Sequence, residues 1–328
     1  MAITAQTARR AGWDVKAGRP SGERMTGEKT TTPSGPEAEG AAFRADAGAL
    51  YVVATPIGNL RDLTLRALDI LRSADIIAAE DTRVTSTLLA RYGITTRPRA
   101  YHQHNEARQV DAMVAALAAG RSIALVSDAG TPGISDPGAR LVRGVHAAGH
   151  RVVPIPGATA IATAISAAGL VAERFAFIGF LPTQAKARRG WLTTIASWPV
   201  ALVFYEAPHR IADTLAELAR ALDGRRTLTV ARELTKTFET IATMPLADAE
   251  AWLAADANRV RGEFALIVDA PAEDSASNAL GADADRLLSA LLEELPPARA
   301  ARVAAAATRL PRDGLYARAL ALQARSRE

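Results

Sequence analysis

The 328-residue chain is long enough for two ordinary domains and a small third. With 49% hydrophobic and 23% charged residues it has a globular composition, and no apolar run approaches the roughly 18 residues that span a bilayer. The absence of cysteine excludes disulfides, thiolate zinc sites, iron–sulfur ligation and a cysteine nucleophile, and it fits a cytoplasmic location; the net charge of +4 permits a nucleic-acid partner without requiring one.

Residues 1–48 are rich in Gly, Ser, Thr, Pro and mixed charge and lack hydrophobic periodicity. They read as a disordered extension, because such a segment buries too little apolar surface to offset its ordering entropy. No apolar signal-peptide core is present, and Glu23, Glu28, Glu37 and Glu39 argue against a transit peptide. From Leu50 the texture changes. Short apolar runs at 50–54, 75–79, 122–127, 151–155, 175–180 and 201–205 alternate with helical patterns such as 64–72, 106–119, 139–148 and 158–168. This alternation predicts an α/β fold of mostly parallel sheets covered on both faces.

After Tyr205, strand-like runs at 228–232, 237–243 and 263–268 follow one another with fewer helices between. A boundary near 156–163 therefore divides an N-terminal α/β domain, 49–157, from a more mixed C-terminal α/β domain, 158–271. Residues 272–282 read as a polar linker. Beyond it, 283–295, 298–309 and 314–325 read as three short helices punctuated by Pro296, Pro297 and Pro311. From Asp285 to the end there are eight Arg against five acids, so the module 283–328 is either a stabilising appendage or an RNA clamp. The basic residues of the whole chain are nearly all arginine, which fits either GC-rich codon usage or a phosphate-binding surface.

The signatures of dinucleotide binding, P-loop nucleotide hydrolysis, zinc proteolysis and the hydrolase nucleophile elbow are all absent. What is present is a set of glycine- and proline-rich loops, each following an apolar strand. They are Thr55-Pro-Ile-Gly-Asn59, Asp128-Ala-Gly-Thr-Pro-Gly133 continuing through Ser135-Asp-Pro-Gly138, and Pro156-Gly-Ala-Thr159. Ligands of open α/β sheets bind at the carboxyl ends of strands, where glycine lets them approach the backbone. Three such loops point to one crevice. Polar clusters end two further strands: Glu80-Asp-Thr-Arg83 and Tyr205-Glu-Ala-Pro-His-Arg210. The latter cluster has the make-up of a site, although Glu206 would also serve as a helix cap. His102 and His104 precede a helix that Asn105 can cap, and no third ligand suggests a metal.

Taken together, Leu50-Tyr-Val-Val-Ala-Thr-Pro-Ile-Gly-Asn-Leu60, Ala79-Glu-Asp-Thr-Arg83, Val126-Ser-Asp-Ala-Gly-Thr-Pro132, Ser135-Asp-Pro-Gly138, Pro156-Gly-Ala158 and Phe204-Tyr-Glu-Ala-Pro-His-Arg210 resemble the tetrapyrrole (corrin/porphyrin) methylase superfamily, in its 16S rRNA methyltransferase branch. The resemblance runs from about Leu50 to Val268. It implies two α/β domains with S-adenosylmethionine in the cleft between them, usually in a homodimer. It also implies 2′-O-methylation of a decoding-region cytidine in 16S rRNA, within the 30S subunit. Carried over by residue, the donor contacts are Pro56, Asp128, Ala129, Gly130, Thr131, Pro132, Ala158, Thr159, Tyr205, Ala231, Gly262, Glu263 and Phe264. The catalytic group is Glu80, Asp81, Arg83, His104 and Glu206, and RNA contacts fall on Arg83, Glu106, His209 and Arg210.

A ribose hydroxyl is hardly ionised at pH 7, so a general base is useful, and one carboxylate of the Glu80–Asp81 pair is the expected group. Two other readings stay open. One is a small-molecule, corrinoid-precursor methylase of the same superfamily. The other is a non-catalytic RNA-binding protein using the basic C-terminal helices.

Overall fold

The computed structural model describes residues 42–101, 106–271, 273–308 and 310–325. Strands β1 (Ala49–Val53), β2 (Ile76–Ala79), β3 (Arg99–Ala100), β4 (Ile123–Val126) and β5 (Arg151–Ile155) form one sheet of order β3-β2-β4-β1-β5, every pairing parallel. Helices α1 (Leu65–Ser73), α2 (Thr82–Arg91), α3 (Glu106–Ala118) and α4 (Ala139–Ala147) connect them. Because side chains alternate along a strand, neighbours enter opposite cores. Tyr51, Ile77 and Ala124 join Ile70 and Leu71 of α1 on one face. Leu50, Ile76 and Ile123 join Leu117 of α3 and Leu141 and Val145 of α4 on the other. Coverage of both faces is why β2 and β4 are buried end to end and read as unbroken apolar runs.

Of the stretch read as disordered, residues 42–48 are described, and they are ordered against this lobe. The Phe43 N–H donates to Asp69 Oδ2 (3.0 Å), the Asp46 N–H donates to the Tyr51 hydroxyl (2.7 Å), and Asp46 pairs with Arg151 (2.7 Å). The anchor is Phe43, whose ring meets Tyr51 edge-on and carries the Arg66 guanidinium 5.5 Å from its centroid. The remainder of that stretch lies outside the described residues.

A second sheet holds β6 (Phe175–Phe180), β7 (Ala201–Glu206), β8 (Thr227–Arg232), β9 (Thr240–Pro245) and β10 (Phe264–Val268) in the order β6-β7-β10-β8-β9. Only β6–β7 is parallel; the other three pairings are antiparallel. Helix α5 (Ala160–Ala167), which follows β5 of the first sheet, packs on the second, with Ala164 against Val203, Ala231, Ala265 and Ile267. The opposite face carries α6 (Ala185–Ile195), α7 (Ile211–Ala221) and α8 (Ala249–Ala254) over Phe204, Phe264 and Leu266. Strand β9 starts three residues later than the sequence suggests, because turns closed by Lys236 N–H to Glu233 O and Glu239 N–H to Lys236 O occupy the approach.

Helices α9 (Glu273–Glu294), α10 (Pro297–Thr308) and α11 (Arg312–Arg325) form a small bundle with its own core of Ala284, Leu288, Ala300, Ala304, Leu315 and Ala319. The backbone is helical through 273–282, which the sequence suggests as linker. That stretch has three alanines, one glycine and no proline, so little opposes helix extension. Among the described residues no helix is long and apolar enough to cross a membrane.

Candidate functional site

The carboxyl ends of β1, β4 and β5 gather the glycine- and proline-rich loops. Thr55 and Gly130 exchange backbone hydrogen bonds of 2.8 and 3.0 Å, and Thr55 Oγ1 donates to Ser127 O (3.2 Å). Gly130 has a left-handed φ of 81°, and a Cβ there would stand 3.3 Å from Ile57 Cγ2, so this crossing of loops favours glycine. Thr131 Oγ1 donates to Ala158 O (3.1 Å), which stitches the loop after β4 to the loop after β5.

Beside these loops, β2 and β4 end in carboxylates. The Asp81 N–H donates to Asp128 Oδ1 (2.9 Å), and the Asp128 N–H reaches Glu80 Oε2 (3.4 Å). Asp81 is the N-cap of α2, accepting from the Arg83 N–H (2.8 Å), and its other oxygen pairs with Arg83 Nη2 (2.6 Å). The Arg83 hydrogen bonds hold Asp81 down at about 2. Glu80 behaves oppositely. Burial raises its pKa, and the carboxylates of Asp136, Asp128 and Asp81 add to the rise against the hydrogen bond from Asp128. Asp136 is raised as well, by burial first and then by Asp128, against a hydrogen bond with Ser127.

The facing wall comes from the second sheet, at the ends of β7 and β8 and the start of β10. Between the two walls lies a cavity of about 320 Å³. Ile57, Gly130, Thr131 and Asp136 line it from the first lobe, and Phe180, Tyr205, Ala231, Leu234, Phe264 and Ala265 from the second. Its walls are mostly apolar with a few polar groups, the usual make-up of a small-molecule site. The Tyr205 hydroxyl accepts from the Ile161 N–H (3.0 Å), and its ring meets Phe177 and Phe180 edge-on at 4.9 and 5.8 Å.

Glu206 lines the cavity beside Tyr205 and Ala207, and both it and Arg210 make buried contacts. Glu206, 2% exposed, accepts from the Ala207 N–H (2.9 Å) and Thr214 Oγ1 (2.6 Å), with Arg210 Nε 3.2 Å away. Arg210 Nη2 donates to Leu181 O (2.6 Å). A carboxylate at a buried strand end needs such partners, and the guanidinium one helical turn on supplies charge compensation. These contacts hold the β7 end and the loop after β6.

Of the expected donor contacts, Ala129, Gly130, Thr131, Thr159, Tyr205, Ala231, Glu263 and Phe264 line the cavity. Asp128, Pro132, Ala158 and Gly262 are their neighbours in the chain and Pro56 adjoins the lining residue Ile57, but none of these five lines it. Arg83 is exposed and so is His209, next to Pro208 at the cavity wall. His104 and the side chain of Glu106 lie outside the described residues. Sequence reasoning passes over Asp136, although the Asp-Pro-Gly run containing it marks the loop. Ile57, Phe180, Leu234 and Ala265 carry no signal of their own, because an apolar residue facing a cavity is spelled like one facing a core.

Residues 49–250 match the family model of tetrapyrrole (corrin/porphyrin) methylases, and residues 278–323 match a model described as the RsmI C-terminal HTH domain. The chain is 47% identical over 280 residues to the ribosomal RNA small subunit methyltransferase I of Pseudomonas aeruginosa, covering 85% of this chain and 99% of that one. The protein of the same name from Escherichia coli O157:H7 is 49% identical over 279 residues, covering 84% and 96%. Among solved structures, a cobalt precorrin-4 methyltransferase is similar with a TM-score of 0.52 at 16% identity, over 68% of this chain and 95% of that one. The chain thus belongs to the tetrapyrrole methylases, and within them to the ribosomal RNA small subunit methyltransferase I family.

Proposed function

We propose that this chain transfers a methyl group from S-adenosylmethionine to the ribose 2′-hydroxyl of a decoding-region cytidine in 16S rRNA, acting in the cytoplasm on the 30S subunit as a homodimer. The observation that carries the reading is the cavity between the lobes, apolar along most of its wall and lined by the raised carboxyl of Asp136, which interacts electrostatically with the raised Glu80. The names of the relatives and the match to a C-terminal HTH domain support rRNA over a corrinoid as acceptor.

The residues present fit the donor. Aromatic and aliphatic walls from Phe180, Tyr205, Leu234 and Phe264 suit a purine, and the loop after β4 lays backbone close to it through Gly130. The carboxylates at the ends of β2 and β4 favour a cationic sulfonium over a neutral thioether. When bound, S-adenosylmethionine supplies an activated methyl on that sulfonium. The protein's part is to align acceptor and donor, a contribution on the order of 7–11 kcal/mol, and to remove the hydroxyl proton.

Glu80 is the base in this reading. It is half-buried, pairs with no cation among the described residues and is raised toward neutrality, whereas Asp81 is committed to Arg83 and to its helix cap. Arg83 and His209 face solvent and serve the RNA, and the arginine-rich C-terminal helices offer it a further contact. The test uses the purified protein, labelled S-adenosylmethionine and 30S particles lacking the modification. Label on a ribose 2′-oxygen in the decoding region is expected. Donor binding without label would favour the small-molecule methylase, and no donor binding would favour a pure RNA-binding protein.

A further inference from the structure

Beside the cavity the two lobes come into close contact. A Cβ built on Gly58 would stand 2.6 Å from Lys236 Cγ, 2.7 Å from Thr235 Oγ1 and 3.1 Å from Leu234 O. The lysine stem can yield, but the Leu234 carbonyl is backbone. Next to this contact the Asn59 N–H donates to Thr235 Oγ1 (3.0 Å). Ile57 and Leu234, adjacent to it on either side, both line the cavity.

The second-lobe half of this contact is strained. Glu233 and Thr235 have left-handed φ values of 52° and 67°, a region that a β-branched residue rarely enters. Their surroundings hold them there. Glu233 N–H donates to Glu263 O (3.0 Å), Glu263 N–H donates to Glu233 Oε1 (2.9 Å), and Thr235 N–H donates to Glu239 Oε2 (2.6 Å). Lys236 Nζ bridges Glu233 Oε1 (2.9 Å) and Glu263 Oε2 (2.7 Å). Gly262 makes room for this, since a Cβ there would fall 2.5 Å from the Glu233 side chain. Non-glycine strain that several contacts enforce beside a binding cavity is the pattern expected where backbone position matters.

We infer that the turn at 56–59 and the segment 233–236 form an interlobe clasp that sets the width of the donor cavity, with Gly58 and Lys236 as positioning residues. The inference rests on the reading of this cavity as the donor site. Lys236 acts through Glu263, which lines the cavity, and through the 233–236 backbone that presents Leu234. Gly58 acts by permitting contact. Its own backbone is not left-handed, so an alanine there tests crowding alone.

The experiment is binding of S-adenosylhomocysteine to the full chain by calorimetry, with thermal unfolding of the same samples. The variants are Gly58→Ala, Lys236→Met and Lys236→Arg. Gly58→Ala is expected to weaken binding roughly tenfold while unfolding stays cooperative. Lys236→Met is expected to weaken it similarly and Lys236→Arg to restore most of the loss. In turnover the KM for the donor should rise more than kcat falls. Wild-type affinity in both Gly58→Ala and Lys236→Met would overturn the clasp. So would an affinity loss that tracks loss of folding and that Lys236→Arg does not rescue. If the wild-type chain fails to bind at all, the donor-site reading itself is overturned.

Discussion

The two lobes treat their carboxylates in opposite ways. On the second lobe the buried Glu206 and Glu217 and the half-buried Glu233 each have a cation. Glu217 is held below the ordinary carboxylate range by a two-pronged pair with Arg188, Glu206 has Arg210, and Glu233 has Lys236. On the first lobe Glu80, Asp128 and Asp136 crowd one edge, and of this group only Asp81 beside them forms a salt bridge among the described residues, to Arg83. A compensated acid fixes geometry; one raised by burial and like charge is suited to taking up a proton. In the proposed mechanism the second lobe positions and the first lobe carries the proton chemistry.

The sharpest way to break this contrast is Glu80→Gln. Transfer to 30S particles should fall by about 10²–10⁴-fold, with donor affinity unchanged. The sign of the stability effect is also fixed. A carboxyl whose folded pKa is raised stabilises most below its unfolded value and loses that contribution as pH rises through the folded one. At neutral pH the neutral amide should therefore leave the melting temperature unchanged or higher. A lowered melting temperature would mean that Glu80 is structural.

Arg188→Met probes the other lobe. It strands Glu217 without its partner and also removes the contacts of Arg188 with the carbonyls of Pro182 and Thr183. Chemical denaturation should show a loss of about 3–5 kcal/mol. The loss should be largest at neutral pH and shrink on acidification, because a depressed carboxylate contributes fully above its unfolded pKa and loses that contribution as pH falls through the folded one. A smaller loss of stability is expected of Asp81→Ala, which removes the cap of α2. Methyl transfer by this variant should stay near wild type. Inactivity with intact folding would move the base from Glu80 to Asp81.

The first lobe is the more legible in sequence, for a physical reason. A parallel sheet covered on both faces makes its strands continuous apolar runs, as in residues 76–79 and 123–126, and its crossovers end in marked glycine and proline loops. The second sheet is mainly antiparallel, and its β9 begins only after turns at 233–239, of which the sequence suggests 236–239 as turn and edge but leaves 233–235 unmarked. Site residues divide along a similar line. Gly130 and Thr131 are visible because backbone approach needs those residue types. The buried contacts of Glu206 and Arg210 depend on Thr214 and Leu181, which only folding brings near. The raised carboxyl of Asp136 likewise depends on burial beside Asp128, which no local pattern encodes.

The most direct test is the pH dependence of single-turnover methyl transfer to 30S particles at saturating donor, for wild type and Glu80→Gln. The wild-type rate should rise with pH through a midpoint above the ordinary carboxylate value of about 4.3, while the variant stays slow without that step. A variant that retains both the wild-type rate and its pH step would contradict the assignment of proton removal to the first lobe's Glu80.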